Sequence, residues 1–252
     1  MSLSENLIKC IKIFSDVSDK SEKEMVYLET GLDEGNSVRD VLTNFNFKKI
    51  ISIEIDKIKI DKVKQKLKYD NNYSKIILIE GDSAIKLREI YDQSIDVIFL
   101  DAHGLYTETD PTKISPLEKE LKFLVNKTDI HQLIIIDDFI KIRNNHLFKD
   151  RLDWRSHYKY KNFKLLLNEK GFKILEIFYD NGMNSYLLLT KNKKFKIDIK
   201  LYLINILLKF MSIRFYFFYY KFLIFPYLKK IIIFLSSENF FYKLKNFIRK
   251  KN

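Results

Sequence analysis

Short β-branched runs recurring between segments of helical spacing constrain this chain more than any other feature. Met25–Glu29, Ile50–Ile55, Ile76–Glu80, Ile95–Asp101 and Leu133–Asp137 are each almost wholly apolar, as parallel strands covered on both faces are. Between them, Val38, Val41, Leu42 and Phe45 form one helical stripe, and Ile60, Val63 and Leu67 another. Ser115-Pro116-Leu117-Glu118 opens a further helix, with Ser at the cap, Pro at the first helical position and Glu three residues after the cap. Repeated units of this kind predict an open α/β sheet, parallel over its first five strands, with helices on both sides. The pattern then changes. A helix over about residues 158–169 stops at Gly171, and two strands, Lys173–Tyr179 and Ser185–Thr190, flank Asp180-Asn181-Gly182-Met183. Asn-Gly between apolar runs predicts a hairpin, so these strands are expected to be antiparallel neighbours. That closure argues against a dehydrogenase plan, in which the sheet continues parallel.

Charge divides the chain. Its 252 residues carry a formal net charge of +12, yet residues 191–252 hold 15 basic and 2 acidic residues, which leaves 30 basic and 31 acidic in residues 1–190. Of the 37 aromatic residues, 17 lie after position 194. The sequence is therefore read as a domain over 1–190 and a basic, aromatic extension over 191–252, expected to be helical. A neutral body offers no basic cleft for nucleic acid, which makes an RNA-directed activity the weaker expectation. The lone Cys10 excludes an intrachain disulfide, and Lys9 and Lys12 interrupt any apolar leader at the N-terminus.

Candidate site residues gather after the strands. The first loop, Glu29-Thr30-Gly31-Leu32-Asp33-Glu34-Gly35-Asn36-Ser37, places two glycines four apart at a strand-to-helix turn. Gly31 and Gly35 let backbone pass close to a ligand, and Ser37 is expected to cap the helix that follows. The loop lacks the G-x-G-x-x-G of dinucleotide sites, and Glu29 would repel a pyrophosphate while suiting a cationic ligand with an amino group. Glu54 ends the second strand about 20 residues later, where a carboxylate can accept both hydroxyls of a ribose. Asp82 and Ser83 follow the third strand, with Asp82 able to accept from an adenine amino group, and Asp101 ends the fourth. Singly, each reads equally as a helix cap or a solvated acid; four at consecutive strand ends lie where open α/β sheets bind ligands.

With these residues in this order, the chain resembles the class I S-adenosylmethionine-dependent methyltransferases over roughly residues 22–190. The resemblance implies a Rossmann-like, seven-stranded, mostly parallel sheet with an antiparallel last strand. It implies Glu54 at the ribose, Asp82 at the adenine, and Glu29 and Gly31 at the methionine moiety. Ile98-Phe99-Leu100-Asp101-Ala102-His103-Gly104 with Ile135-Ile136-Asp137-Asp138-Phe139 narrows it toward macrocin-type and catechol-type O-methyltransferases and relatives associated with surface polysaccharides. In those, Asp101, Asp137 and Asp138 would hold Mg²⁺, although Asp137 or Asp138 reads equally as a helix cap. Macrocin-type enzymes carry a second acid where this chain has His103, and an imidazole there suits a general base near neutral pH. The polar stretch 105–114 with Tyr106, and Trp154 with His157, are expected on the acceptor side.

In the extension, no stretch free of charged residues exceeds eight, Leu201–Leu208, so a membrane span is not expected. Its apolar and aromatic residues with interspersed cations fit an interfacial helix on an anionic membrane surface, over about 195–235. The other reading of the extension is packing or homo-oligomerisation. The functional expectation is methylation of a sugar hydroxyl on a surface glycan or its lipid-linked precursor, in the cytoplasm or at the inner face of the membrane. Its alternatives are a soluble methyltransferase for small-molecule hydroxyls, or a non-catalytic module that binds S-adenosylmethionine.

Overall fold

The computed structural model describes residues 2–102, 116–139, 160–180 and 184–217. Seven strands form one sheet: β1 (Val26–Thr30), β2 (Lys49–Glu54), β3 (Ile76–Glu80), β4 (Ile95–Leu100), β5 (Leu133–Ile136), β6 (Lys173–Tyr179) and β7 (Asn184–Thr190). Each falls within one residue of its expected limits. Their order across the sheet is β3-β2-β1-β4-β5-β7-β6. Neighbours from β3 to β5 are parallel, and β7 runs antiparallel to β5, so the expected mixed sheet with a reversed last strand is present.

The chain leaves β1 toward β2 and β3, then returns to the far side of β1 for β4. This reversal opens a crevice at the carboxyl ends of β1 and β4, where open α/β sheets take their ligands. Register keeps those ends level: Thr30 pairs with both Ile53 and Leu100, and Leu100 pairs with Ile136. Glu54, Asp101 and Asp137 are therefore delivered to one edge.

The described residues form seven α-helices: α1 (Glu5–Val17), α2 (Asn36–Asn44), α3 (Lys57–Leu67), α4 (Ser83–Ile90), α5 (Leu117–Lys127), α6 (Tyr160–Glu169) and α7 (Ile199–Phe217). Leu28, Ile98, Leu100, Ile134 and Ile136 share a core with Leu87 of α4, Leu117, Leu121 and Leu124 of α5, and Leu167 of α6. Alternate strand residues face the other way, where Tyr27 stacks with Phe47 and Phe99 meets Tyr186. The sequence reading did not foresee α1. Its buried Leu7, Cys10, Ile11 and Phe14 stand at the i, i+3, i+4, i+7 spacing of a helix face. Ser4 caps it, and Phe14 meets Phe195 edge-on at 5.9 Å between ring centroids.

Two further expectations are corrected. β3 is an edge strand with Ile77 exposed, so full cover on both faces holds only for the strands inside the sheet. Helix α5 starts at Leu117 with Pro116 at its cap position, one residue later than the capping pattern predicts, while Ser115 lies outside the described residues. Gly171 does terminate α6: its φ of 75° lets the Phe172 N–H donate to the Leu167 carbonyl at 3.0 Å, a Schellman closure. The turn residues 181–183 also lie outside the described set.

Contacts divide the chain into Met1–Ile177 with Ser185–Phe195, and Phe178–Asn184 with Lys196–Asn252. Within the second unit, α7 is apolar on two sides. Leu201, Leu208 and Met211 are buried, while Ile199, Tyr202 and Phe210 are exposed on the opposite face of the helix. No helix among the described residues is long and apolar enough to cross a membrane.

Candidate functional site

The turn after β1 is shaped by one close approach. Gly31 has φ 90°, and a Cβ there would stand 2.9 Å from the Ala102 nitrogen and from the carbonyl carbon and oxygen of Asp101. Only glycine lets β1's exit lie against β4's exit in this way. The Gly31 N–H donates to the Ile53 carbonyl at 2.9 Å, which ties the same residue to β2. Gly35, φ 72°, is set against Val63 of α3, where a Cβ would come within 2.7 Å of Cγ1.

Glu54, 8% exposed, organises the neighbouring turns. One carboxylate oxygen accepts the Asp33 N–H at 3.1 Å, and the other accepts the Asp56 N–H at 3.0 Å. A carboxylate has about four lone-pair sites, so two backbone donors fix it while leaving acceptor capacity toward the crevice. Asp33, at φ 46°, pairs with Lys59 at 2.8 Å, and that hydrogen bond holds its carboxyl below the ordinary range. Glu34 pairs with Lys66, so α3 grips the loop at two points.

Ser37 is not the cap of α2. Gly35 occupies that position in left-handed conformation with no side-chain cap, and Ser37 sits inside the first turn. It is buried and turned to a different use, at Glu29. Glu29 has no exposed surface; the Tyr27 hydroxyl donates to it at 3.1 Å and the Ser52 hydroxyl at 2.8 Å. Burial raises its pKa to about 7 against the opposing support of the Ser37, Ser52 and Tyr27 hydroxyls. Through these hydroxyls the group braces β1, β2 and α2 from inside.

Asp82 caps α4, its carboxylate accepting the Ala84 N–H at 2.8 Å. Ser83, the first residue of α4, is buried. A residue missed by the sequence reading lies beside it: Glu120 of α5, 1% exposed, with its pKa raised by burial to about 7 although Ser83 and Thr30 favour its charged form. The signal was present, because Glu120 is three residues after Leu117 and four before Leu124, on α5's apolar stripe.

Asp101 and Asp137 are brought to adjacent strand ends. The Asp101 N–H donates to the Thr30 carbonyl at 3.0 Å, and the Asp137 N–H to the Leu100 carbonyl at 3.1 Å. Asp137 and Asp138 are buried, Asp138 at φ 51°. The donor chemistry suits Mg²⁺, but the geometry does not close: among the described residues, no group of three acids, histidines or cysteines could hold a metal ion. Asp101, Asp137 and Asp138 lie among those residues, at the ends of adjacent strands, without forming such a group. His103, the stretch 105–114 with Tyr106, and Trp154 and His157 lie outside the described residues. A surface cavity of about 320 Å³ lies between the ends of α4 and α5, lined by Arg88, Tyr91, Asp92, Gln93, Phe123 and Lys127. It borders the segment leading into β4, away from the edge that carries the acids.

No protein-family model matches the chain, and no curated protein matches it. Solved structures do share its architecture. An O-methyltransferase from Bacillus cereus in complex with SAH is 16% identical, with a TM-score of 0.52 over 75% of this chain and 81% of that one. TomG from Streptomyces achromogenes, an O-methyltransferase involved in tomaymycin synthesis and seen with SAM, is 11% identical, with a TM-score of 0.52 over 76% and 82%. An rRNA methylase from Streptococcus thermophilus is 12% identical, with a TM-score of 0.51 over 77% and 100%. The fold is that of the class I methyltransferases. Identities this low carry the architecture and leave the acceptor open, as the pairing of small-molecule and RNA enzymes shows.

The two buried carboxyls predict a pH dependence. Glu29 and Glu120 titrate near 7 when folded and near their ordinary 4.5 when unfolded. Between those values the folded chain retains protons that the unfolded chain releases. Their stabilisation is full below about pH 4.5, falls as pH rises to about 7, and is level above that, by about 3 kcal/mol for each group. Urea unfolding followed from pH 5 to pH 8 should show this decline, and Glu120→Gln should remove roughly half of it. A wild-type profile flat across this interval would contradict the assignment.

Proposed function

We propose that this chain is an S-adenosylmethionine-dependent O-methyltransferase acting on a sugar hydroxyl of a surface glycan or its lipid-linked precursor. The observation that supports it most is the alignment of Gly31, Glu54 and Asp82 along the crevice of this fold. The residues fit the cofactor. Gly31 offers backbone at a place that a side chain would fill, suited to the methionine moiety, with Gly35, Ser37 and Glu29 bracing the turn. Glu54, fixed by two backbone donors, would take the ribose hydroxyls. Asp82, at the start of α4, would meet the adenine with Ser83 buried behind it, and Asp101 would border the reacting end. When bound, the cofactor supplies an electrophilic methyl on a positively charged sulfur.

His103, two residues beyond Asp101, is proposed as the base that takes the acceptor's proton, an imidazole being well matched to that task near pH 7. No step is routed through a metal. Residues 1–190 are the proposed catalytic domain, and residues 191–252 the extension that places it, from the cytoplasm, on the inner face of the membrane. The charge of the extension, 15 basic against 2 acidic residues, supports an anionic bilayer as the partner of the exposed Ile199, Tyr202 and Phe210. Two copies brought together through it would repel. The second reading, a soluble methyltransferase for small-molecule hydroxyls whose extension packs or dimerises, is favoured by the burial of Leu201, Leu208 and Met211.

Transfer of labelled methyl groups from S-adenosylmethionine to lipid-linked sugars, with and without Mg²⁺, tests the reaction. Turnover is expected with lipid-linked acceptors, and His103→Ala should lower it by about 10²-fold or more. Methylation confined to water-soluble diols would favour the second reading, and cofactor binding without transfer to any acceptor would indicate a binding module. Flotation of the full chain tests the extension. It should rise with vesicles containing phosphatidylserine and stay behind with neutral phosphatidylcholine, and equal behaviour with both would count against an electrostatic membrane contact.

A further inference from the structure

Helix α5 buries a carboxyl where the rest of its inner face is leucine and valine. Glu120 shares that face with Leu117, Leu121 and Leu124, which pack against Leu28, Leu87 and Leu100. Neither Glu120 oxygen makes a hydrogen bond, and the equally buried Thr30 hydroxyl makes none. The Thr30 and Ser83 hydroxyls nonetheless stand close enough to favour the ionised carboxyl. An unbonded buried carboxyl is costly, while a leucine would fill the same layer without that cost. Where a chain breaks the packing rule in its own core, the break is expected to serve a site.

The site is indicated by where the two hydroxyls sit. Thr30 ends β1, immediately before Gly31, and its carbonyl accepts the Asp101 N–H at 3.0 Å. Ser83 begins α4, immediately after Asp82. Thr30 lies on the strand face of Leu28, which packs with Leu87 of α4 and with Leu121 and Leu124 of α5, so the buried Thr30, Ser83 and Glu120 share one layer beneath the crevice. Asp82 is also the charged group whose field acts on Glu120.

We propose that Glu120 is a positioning residue of the cofactor crevice, holding the end of β1 and the start of α4 in register through the Thr30 and Ser83 hydroxyls. It acts on Gly31 and Asp82 without touching the ligand. The inference rests on the cofactor reading above and adds the group that sets the spacing between the two ends of that ligand. A carboxyl can serve both hydroxyls at once in either protonation state; a carboxamide can serve them by accepting from one and donating to the other. A leucine can serve neither.

The test is calorimetric binding of SAH to the full chain as wild type, Glu120→Gln and Glu120→Leu, with amide exchange read at Gly31 and Ala84. Glu120→Leu should bind about tenfold more weakly and exchange faster at both amides, although its thermal midpoint is not lowered. Glu120→Gln should stay within about threefold of wild type. Thr30→Val and Ser83→Ala supply an independent arm that does not rely on Glu120→Leu folding: each should weaken binding, and the double variant should weaken it less than the two separate losses combined. Wild-type affinity in Glu120→Leu, or in both hydroxyl variants, overturns this inference alone. A wild-type chain that binds no SAH overturns the cofactor reading and this inference together.

Discussion

The approach of Gly31 to the backbone of Asp101 and Ala102 is the contact on which the rest of the candidate site depends. It holds the exits of β1 and β4 against each other, backbone to backbone, at the point where strand order reverses. Everything else at the edge is arranged around it. The Gly31 N–H is held by β2, Glu54 fixes the following turn through the Asp33 amide, and α3 grips the loop through Lys59 and Lys66. A side chain at position 31 would push the two exits apart and undo the alignment of the acids beyond them.

The end of β1 is also clamped between two buried carboxyls. Glu29 and Thr30 are consecutive strand residues and so face opposite sides of the sheet. Glu29 is met on its side by Tyr27, Ser52 and Ser37. Thr30 faces the other side, where Glu120 and Ser83 are buried as well. Both carboxyls are pushed up to about 7 by burial, so burial works against their charge on both sides of the strand end. That is a compromise between the cost of burying ions and the need for donors and acceptors that orient a turn. Glu54 and Asp82, the acids proposed to meet a ligand, are kept nearer to solvent.

Much of this was legible in the chain because parallel strands buried on both faces write themselves as apolar runs, and ligand-facing acids stand where those runs stop. All seven strands and the acids at Glu54, Asp82, Asp101 and Asp137 could be placed that way. What stayed hidden depended on phase or on a single dihedral. Helix α1 was missed because Lys9 and Lys12 broke its apolar residues into fragments, although Leu7, Cys10, Ile11 and Phe14 keep helical spacing. Ser37 was taken for a cap because nothing in the letters shows that Gly35 adopts left-handed backbone and fills that place. Glu120 stands in the first turn of its helix, where acids are ordinarily solvated; only its phase with Leu117 and Leu124 marks it as buried.

The net charge belongs to a different part of the account. It is concentrated after position 190 and says where the chain would be held, while the near-neutral body carries the crevice. The central claim is that a nucleoside-bearing cofactor lies across the Gly31 turn, and glycine amides report on it directly. In a ¹H–¹⁵N spectrum of the labelled chain titrated with SAH, the Gly31 and Gly81 resonances should shift together with one saturation curve, while Gly171, at the end of α6, stays in place. Shifts confined to Gly171, or a spectrum unchanged at millimolar SAH, would contradict the account.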